Sequence, residues 1–499
     1  MDLDHASCYR VFQARDARFD GRLFIGARTT GIYCRPICPA RTPKASNVTF
    51  FASAAAAQEA GFRPCLRCRP EVAPELAAWK GTASTVTRAL RMIENGAVED
   101  PDIERLAGRL GIGARQLRRL FAKHVGASPS AVLQTRRIHL AKQLIQETAT
   151  PMAQVAHASG FGSVRRFNET FKELFGRPPT ALRRSRAQGT PSDRGIRLRL
   201  AYSPPYAWEE MLAFLAKRAI DGIETITRDT YARSISIDGD QGVIAVQPGR
   251  PGELTLCVYC SRLDALPAII SRVRGMFDLA ADPRTINRHL AADRLLAPLI
   301  AQRPGLRVPG AWAGFELAVR AVLGQQITVS AARGLASKLV ASCGRPLDLH
   351  LRERFPGVTH TFAEPSVLAS SDLGAIGMPR ARAAALQSLA RAVHHDPSIL
   401  DQRRSLQDSI DALTVLPGIG EWTAQYIAMR EIREPDAFPA TDVALLRAVE
   451  GMIGRRLSPR QLIERAEQWR PWRAYGAAHL WATLGARHRT GQMGEAHVA

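Results

Sequence analysis

Four cysteines close to the N-terminus, Cys34, Cys38, Cys65 and Cys68, stand as C-x3-C, 26 intervening residues and C-x2-C. Two close pairs separated by a longer loop let four sulfurs converge on one d¹⁰ ion at about 2.3 Å. The spacing is that of a tetrahedral zinc site, in which each thiol gives up its proton to the metal. Such an ion most often only staples a small fold. Here Cys34 stands between Tyr33 and Arg35, with Arg28, Arg41 and Lys44 near in sequence, so one sulfur is expected to face an anionic partner. A thiolate held deprotonated beside a phosphate is also a nucleophile.

The other cysteines, Cys8, Cys257, Cys260 and Cys343, lie outside this spacing. Cys257 and Cys260 fall in LTLCVYC, which reads as a strand that turns them to opposite faces as small core residues. The start MDLDHASCYR lacks the order of a secretory leader, and no apolar run nears the roughly 20 residues that span a bilayer. A cytoplasmic location, no membrane partner, and cysteines kept as thiols or ligands are therefore expected.

At 499 residues the chain is too long for one core and suits three or four domains. Its formal charge of +22 fits a polyanion better than an acidic metabolite. Residues 1–190 carry 30 Lys and Arg against 15 Asp and Glu, and the remainder 38 against 31, so the excess sits mostly in the first part. Nucleic acid is the leading partner.

From about Ser84 to Arg186 the pattern is helical and repeats. Phe121, Gly126, Pro129 and Ala131 recur 50 residues on as Phe171, Gly176, Pro179 and Ala181. Each copy reads as a helix-turn-helix. In the first, Ile103, Leu106 and Leu110 precede the turn Gly111-Ile112-Gly113, while Leu117, Leu120 and Phe121 bury a helix that leaves Arg115, Arg118 and Arg119 outward. In the second, Gly160-Phe161-Gly162 makes the turn, Phe167, Phe171 and Leu174 are buried, and Arg165 and Arg166 face out. A basic helical face is usually only solvated; the duplicated turn instead favours two units that enter successive major grooves.

After a polar linker, Ala187 to Arg194, residues Ile196 to Leu200, Thr230 to Ile237, Gly242 to Gln247 and Glu253 to Tyr259 read as strands, with an amphipathic helix from Trp208 to Ala219. From about Pro283 the chain turns helical, and LPGIGEWTAQYIAMR, Leu416 to Arg430, reads as helix, tight hairpin, helix. Gly418 and Gly420 permit a turn whose amides and following helix N-terminus hold a phosphate without a side chain. Asp442 lies 22 residues beyond Gly420 at a helix start, where a carboxylate is commonly an N-cap.

The stretches Arg28 to Asn47 and GFRPCLRCRP closely resemble the zinc domain of the Ada DNA-methyl acceptor proteins, and the repeated turns joined by a helix at roughly Ala131 to Gln146 resemble the AraC-type DNA-binding domain. The hairpin with Asp442, and the segments SPPYAWEEMLAFLAKRAIDGIETI, RPGLRVPG, RAVLGQQITVSAA and WRPWRAYGAAHLWA, resemble the AlkA-type 3-methyladenine glycosylases of the helix-hairpin-helix family. The first resemblance implies that Cys34 takes a methyl group irreversibly from a methyl phosphotriester. One negative charge is then lost at the zinc site and DNA binding tightens, so that repair becomes a transcriptional signal. The last implies that Asp442 is catalytic and that Phe214, Trp422, Tyr426 and Trp481 line a pocket for a flipped base. It also places Gln326 where a wedge fills the vacated space, and puts Trp422 where related lyases carry a lysine, so no lyase step is expected. Val443 and Ala482 stand where an aromatic can line the pocket, and no cysteine follows Cys343 to ligate an iron–sulfur cluster. No second, guanine-directed methyl-acceptor site is expected.

The resulting expectation is a multidomain chain, mainly α with α+β parts. It comprises a zinc methyl-acceptor domain (1–77), a double helix-turn-helix domain (78–186), a linker (187–194), a small antiparallel α+β domain (195–282) and an all-α helix-hairpin-helix glycosylase domain (283–499). Zinc is the expected cofactor and double-stranded DNA the expected partner, with RNA polymerase a further candidate for an activator. Two alternatives remain: a regulator whose glycosylase-like half only binds DNA, and a glycosylase whose zinc module is purely structural.

Overall fold

A computed structural model describes residues 4–73, 85–94, 103–183, 195–401 and 405–495. The expected linker at 187–194 and the expected boundary at 77/78 lie outside the described residues. Two compact units emerge: the described residues up to Ser203 together with Ile237–Arg274, and Pro204–Ser236 together with the residues from Gly275 onward. Among the described residues no helix is long and apolar enough to cross a membrane.

The first unit opens with a four-stranded sheet built from β1 (Phe24–Ala27), β2 (Ile32–Cys34), β3 (Val48–Phe51) and β4 (Arg63–Pro64), in the order β3-β1-β2-β4. Strand β1 is antiparallel to β2 and β3, whereas β4 runs parallel to β2 with Tyr33 opposite Pro64. That parallel step brings the second cysteine pair beside the first, since Cys65 follows Pro64 and its amide donates to the Tyr33 carbonyl at 3.0 Å. A Cβ on Gly26 would lie 2.8 Å from the rings of Phe51 and Phe62, so only glycine lets these aromatics close over the sheet.

The repeated segment folds as two helix pairs, α1 (Ile103–Arg109) with α2 (Ala114–His124) and α4 (Met152–Ala158) with α5 (Val164–Phe175), joined by the 19-residue helix α3 (Pro129–Glu147). The 50-residue repeat has a backbone cause. Gly126 and Gly176 both take positive φ, 75° and 66°, where the second helix of each pair ends. Leu106, Leu110, Leu117 and Phe121 form the first core, and in the second Phe161, Phe167, Phe171 and Phe175 make successive ring contacts, edge-on, tilted and stacked in turn. Still within this unit, Glu253–Cys260 pairs antiparallel with both Ile196–Ala201 and Asp240–Pro248. Cys257 is buried there as expected, but Cys260, at the strand end, is only half-buried and donates its S–H to the Arg262 carbonyl.

In the second unit, Glu224–Ile226 pairs antiparallel with the strand that begins at Tyr231. Its side chains enter a buried charge network: Arg233 meets Glu316 at 2.6 Å, Arg320 meets both Glu224 and Glu316 at 2.6 Å, and the Tyr231 hydroxyl donates to Glu224. This anchors helix Gly314–Leu323, whose end leads directly into Gln325 and Gln326. The rest is helical and includes α6 (Trp208–Arg218), α7 (Leu406–Thr414), α8 (Glu421–Arg430), α9 (Val443–Ile453) and α10 (Arg473–Glu495).

Candidate active site and metal centre

The four Sγ atoms of Cys34, Cys38, Cys65 and Cys68 all lie within 4.8 Å of one another. A tetrahedron with Zn–S bonds of about 2.3 Å has edges near 4 Å, so the donor set fits the ion. Hydrogen bonding within the quartet, from Cys34 first, pulls Cys65 well below the ordinary thiol range, while Cys38 foremost pushes Cys34 above it. Four thiolates at this distance would repel one another, a repulsion that a dication relieves. The Arg35 amide points at the Cys68 sulfur and the Arg67 amide at the Cys65 sulfur, each at 3.4 Å.

Cys38, Cys65 and Cys68 are buried, whereas Cys34 is half-buried, at the end of β2. Its sequence neighbours do not form the basic surface that adjacency suggests. Arg35 is 9% exposed and grips Asp20 and the Cys68 carbonyl, so it braces the site from inside. Arg28, Arg41 and Lys44 are the exposed cations of this segment. Tyr33, fully buried, meets Nε2 of His139 on α3 at 2.6 Å. Lys142, also on α3 and fully buried, donates to the Cys65 carbonyl at 2.9 Å and to Glu71 at 2.6 Å. Arg69 links Glu71 to Glu147 at the end of the same helix. Neither His139 nor Lys142 is apparent from sequence, because their partners are 106 and 71–77 residues away. The outward arginines Arg115, Arg118, Arg119, Arg165 and Arg166 are all exposed, and Arg165 forms a surface pair with Glu169.

In the second unit, helices α7 and α8 flank the Pro-Gly-Ile-Gly turn. Gly418 has φ 81°, and a Cβ there would stand 2.4 Å from that of Ala385, which excludes any other residue. Gly420 caps α8 in extended conformation without a side-chain bond. Gln325 ties this turn down by donating from Nε2 to the Gly418 carbonyl at 2.8 Å and to Thr423 at 3.0 Å. The next residue, Gln326, is exposed and held at φ 58°, a strained conformation for a residue with a side chain.

Asp442 is the N-cap of α9 and accepts from the Leu445 amide at 2.9 Å. It is also the shared acceptor of two indoles: Trp422 Nε1 reaches Oδ2 at 2.8 Å and Trp481 Nε1 reaches Oδ1 at 3.0 Å. Three donors therefore fix one carboxylate at a helix N-terminus, where the backbone dipole favours negative charge. Trp422 and Tyr426, one turn apart on α8, stack at 5.4 Å and 12°, and Tyr426 meets Trp481 edge-on at 6.4 Å.

Phe214 on α6 connects to this group through two arginines that sequence reasoning passed over. The Arg218 guanidinium lies 3.9 Å from the Phe214 ring centre and that of Arg430 4.8 Å. Arg430 also faces the Tyr426 ring at 5.3 Å and donates to its hydroxyl at 2.6 Å. Spacing was the available signal, since each arginine stands four residues after an aromatic on the same helix face, Phe214 or Tyr426. Of the two positions where the sequence resemblance places pocket aromatics, Val443 is exposed and Ala482 half-buried.

Residues 7–71 match the family described as the metal binding domain of Ada, residues 106–185 a helix-turn-helix domain, and residues 197–313 the AlkA N-terminal domain. A probable bifunctional transcriptional activator/DNA repair enzyme AlkA of Mycobacterium tuberculosis is 39% identical over 97% of both chains. The DNA-3-methyladenine glycosylase 2 of Escherichia coli is 34% identical over 57% of this chain and 97% of its own length. The fold of a 3-methyladenine DNA-glycosylase from Archaeoglobus fulgidus overlies 57% of this chain and 96% of its own, with a TM-score of 0.50 at 20% identity. The chain belongs to the family of bifunctional transcriptional activator/DNA repair enzymes of the AlkA type.

Proposed function

We propose that this chain both senses and repairs alkylation of double-stranded DNA. Residues 195–282 and 283–499 act together as a monofunctional glycosylase that releases alkylated bases of the 3-methyladenine type. Residues 1–77 are the methyl acceptor, and residues 78–186 bind promoter DNA through two helix-turn-helix units. The observation that carries the enzymatic half is the Asp442 carboxylate held between the Trp422 and Trp481 indoles.

In this reading Gly418, Gly420 and the free first-turn amides of α8 grip a backbone phosphate. Gln326, exposed on its strained turn, enters the space that the flipped base leaves. The base lies among Phe214, Trp422, Tyr426 and Trp481. Alkylation at ring nitrogen 3 or 7 makes a purine formally cationic, so it departs readily with the electrons of the glycosidic bond. Asp442 stabilises the positive charge that develops on the sugar and takes a proton from the water that adds to the anomeric carbon.

At the other end, Zn²⁺ bound by Cys34, Cys38, Cys65 and Cys68 keeps the thiolates deprotonated at neutral pH. Cys34 is the most exposed of the four, which supports it as the acceptor. Its sulfur forms a bond to the methyl carbon as the carbon–oxygen bond of the phosphotriester breaks, and the phosphate oxygen leaves with the electron pair. Cys34 thereby becomes a neutral thioether and phosphate repulsion weakens. Exposed Arg115, Arg118, Arg119, Arg165 and Arg166 then hold the duplex more tightly. RNA polymerase is the partner through which such binding activates transcription.

The full chain mixed with a methyl-phosphotriester duplex is expected to show a methyl group on Cys34 by mass spectrometry, and with 3-methyladenine DNA to release the base. An unmodified Cys34 rejects the acceptor role. Binding of alkylated DNA without release leaves only the scaffold reading for the second half.

A further inference from the structure

Gln326 is exposed and held at φ 58°, a backbone state that a residue with a side chain keeps only where its surroundings over-determine it. Here the constraint comes through the preceding residue. Gln325 directs both N–H bonds of Nε2 at the hairpin, one to the Gly418 carbonyl at 2.8 Å and one to the Thr423 hydroxyl at 3.0 Å, which fixes the plane of its amide. From the other side, the Arg382 guanidinium donates to the Gln325 main-chain carbonyl at 2.6 Å. That carbonyl belongs to the rigid peptide plane from which the φ of Gln326 departs, so holding its oxygen fixes the start of the strained turn. Arg382 lies on helix Arg380–His395, and Ala385, one turn further along the same face, is the residue that a Cβ on Gly418 would strike. One helix therefore touches both turns, and the Gln325 side chain joins them to each other. Thr423, 2% exposed, lies in the first turn of α8, so this brace reaches the turn whose amides are proposed to hold a phosphate.

We infer that Gln325 and Arg382 are positioning residues, which set the exposed Gln326 in register with the Gly418–Gly420 hairpin and keep its turn strained before DNA arrives. This rests on the glycosylase reading above, in which the hairpin grips a phosphate and Gln326 enters the vacated space. A base leaves the stack and its place is filled in one event only when the filler and the grip move as one body. With the turn ordered during folding, contact with the duplex does not have to organise it, and the cost of ordering is absent from the extrusion step. Neither Gln325 nor Arg382 touches the base or the sugar in this scheme. They act on extrusion from a paired duplex, and the bond-breaking step on a base already outside the stack proceeds without them.

The test is single-turnover release of 7-methylguanine by the full chain from two duplexes of one sequence, with the base paired to cytosine in one and bulged without a partner in the other. Unpairing removes much of the cost of extrusion, so the paired-to-bulged ratio of rates reads the step that the brace serves. Gln325→Met, similar in length but without donors, is expected to lower that ratio about tenfold, and Arg382→Met several-fold. Gln326→Ala is expected to lower it too, and Gln325→Met added to Gln326→Ala to lower it no further, because the brace acts through Gln326. A folding defect slows release from both duplexes and leaves the ratio in place. An unchanged ratio in both methionine variants overturns the inference, and so does a ratio that falls additively in the double variant. Release from neither duplex by the wild-type chain sinks the proposed function, and the inference falls with it.

Discussion

The Trp422 indole nitrogen donates to Oδ2 of Asp442 across 2.8 Å, and the same side chain lies parallel to Tyr426. One residue therefore both aims the carboxylate and stacks on its aromatic neighbour, so in the proposed reaction base binding and sugar chemistry would share a geometry. Trp481 donates to the other oxygen and meets Tyr426 edge-on.

Replacing either tryptophan with phenylalanine keeps a ring and removes the donor. A hydrogen bond to a charged group contributes about 1.5–3 kcal/mol, or about 10- to 150-fold in rate. Trp422→Phe and Trp481→Phe are each expected to slow single-turnover base release within that range. Rates within threefold of wild type in both would show that the indoles do not orient Asp442.

The thiolate quartet belongs to the core of the first sheet, where Cys38, Cys65 and Cys68 pack with Phe12, Ile25 and Val48. Metal analysis is expected to give one zinc per chain, falling towards zero in Cys65→Ser and Cys68→Ser. Chelation is expected to abolish hydrogen-exchange protection in β1, β2 and β3. Protection that survives complete zinc removal would contradict this coupling of metal to fold.

Glu316 links stability to pH. Burial raises its carboxyl, but Arg233 and Arg320 outweigh burial and hold it down to about 2. A carboxyl whose folded value lies below its unfolded value of about 4.3 stabilises the protein fully above that value and loses the contribution as pH falls towards 2. Glu316→Gln strands buried guanidiniums and is expected to cost about 3–5 kcal/mol at pH 7. In denaturant titrations of the second unit, the gap between wild type and variant should narrow from pH 5 to pH 3. A gap independent of pH would assign the loss to packing alone.

Features whose partners are near in sequence are legible in the sequence itself. The cysteine pairs, the glycines that repeat at 50 residues and the Pro-Gly-Ile-Gly turn each solve a local backbone problem, visible as Gly126 and Gly176 at positive φ and Gly418 against Ala385. Asp442 is legible as a helix cap, and the structure has it capping its helix; its role as catalyst is the proposal made above. Long-range charge pairing is not legible. Arg35 resembles a DNA contact beside Cys34 but is buried on Asp20, and Lys142 resembles one more surface cation until Glu71 meets it from 71 residues away. Arg218 and Arg430 resemble solvated helix positions, and their four-residue spacing from Phe214 and Tyr426 is the one local sign that they lie over aromatic rings.

The most direct test is base release from 3-methyladenine DNA by the full chain carrying Asp442→Asn, measured beside its affinity for the same duplex. Asparagine keeps the size and the helix cap but loses the charge. Release is expected to fall at least about 100-fold with binding retained, whereas release at the wild-type rate would contradict the account.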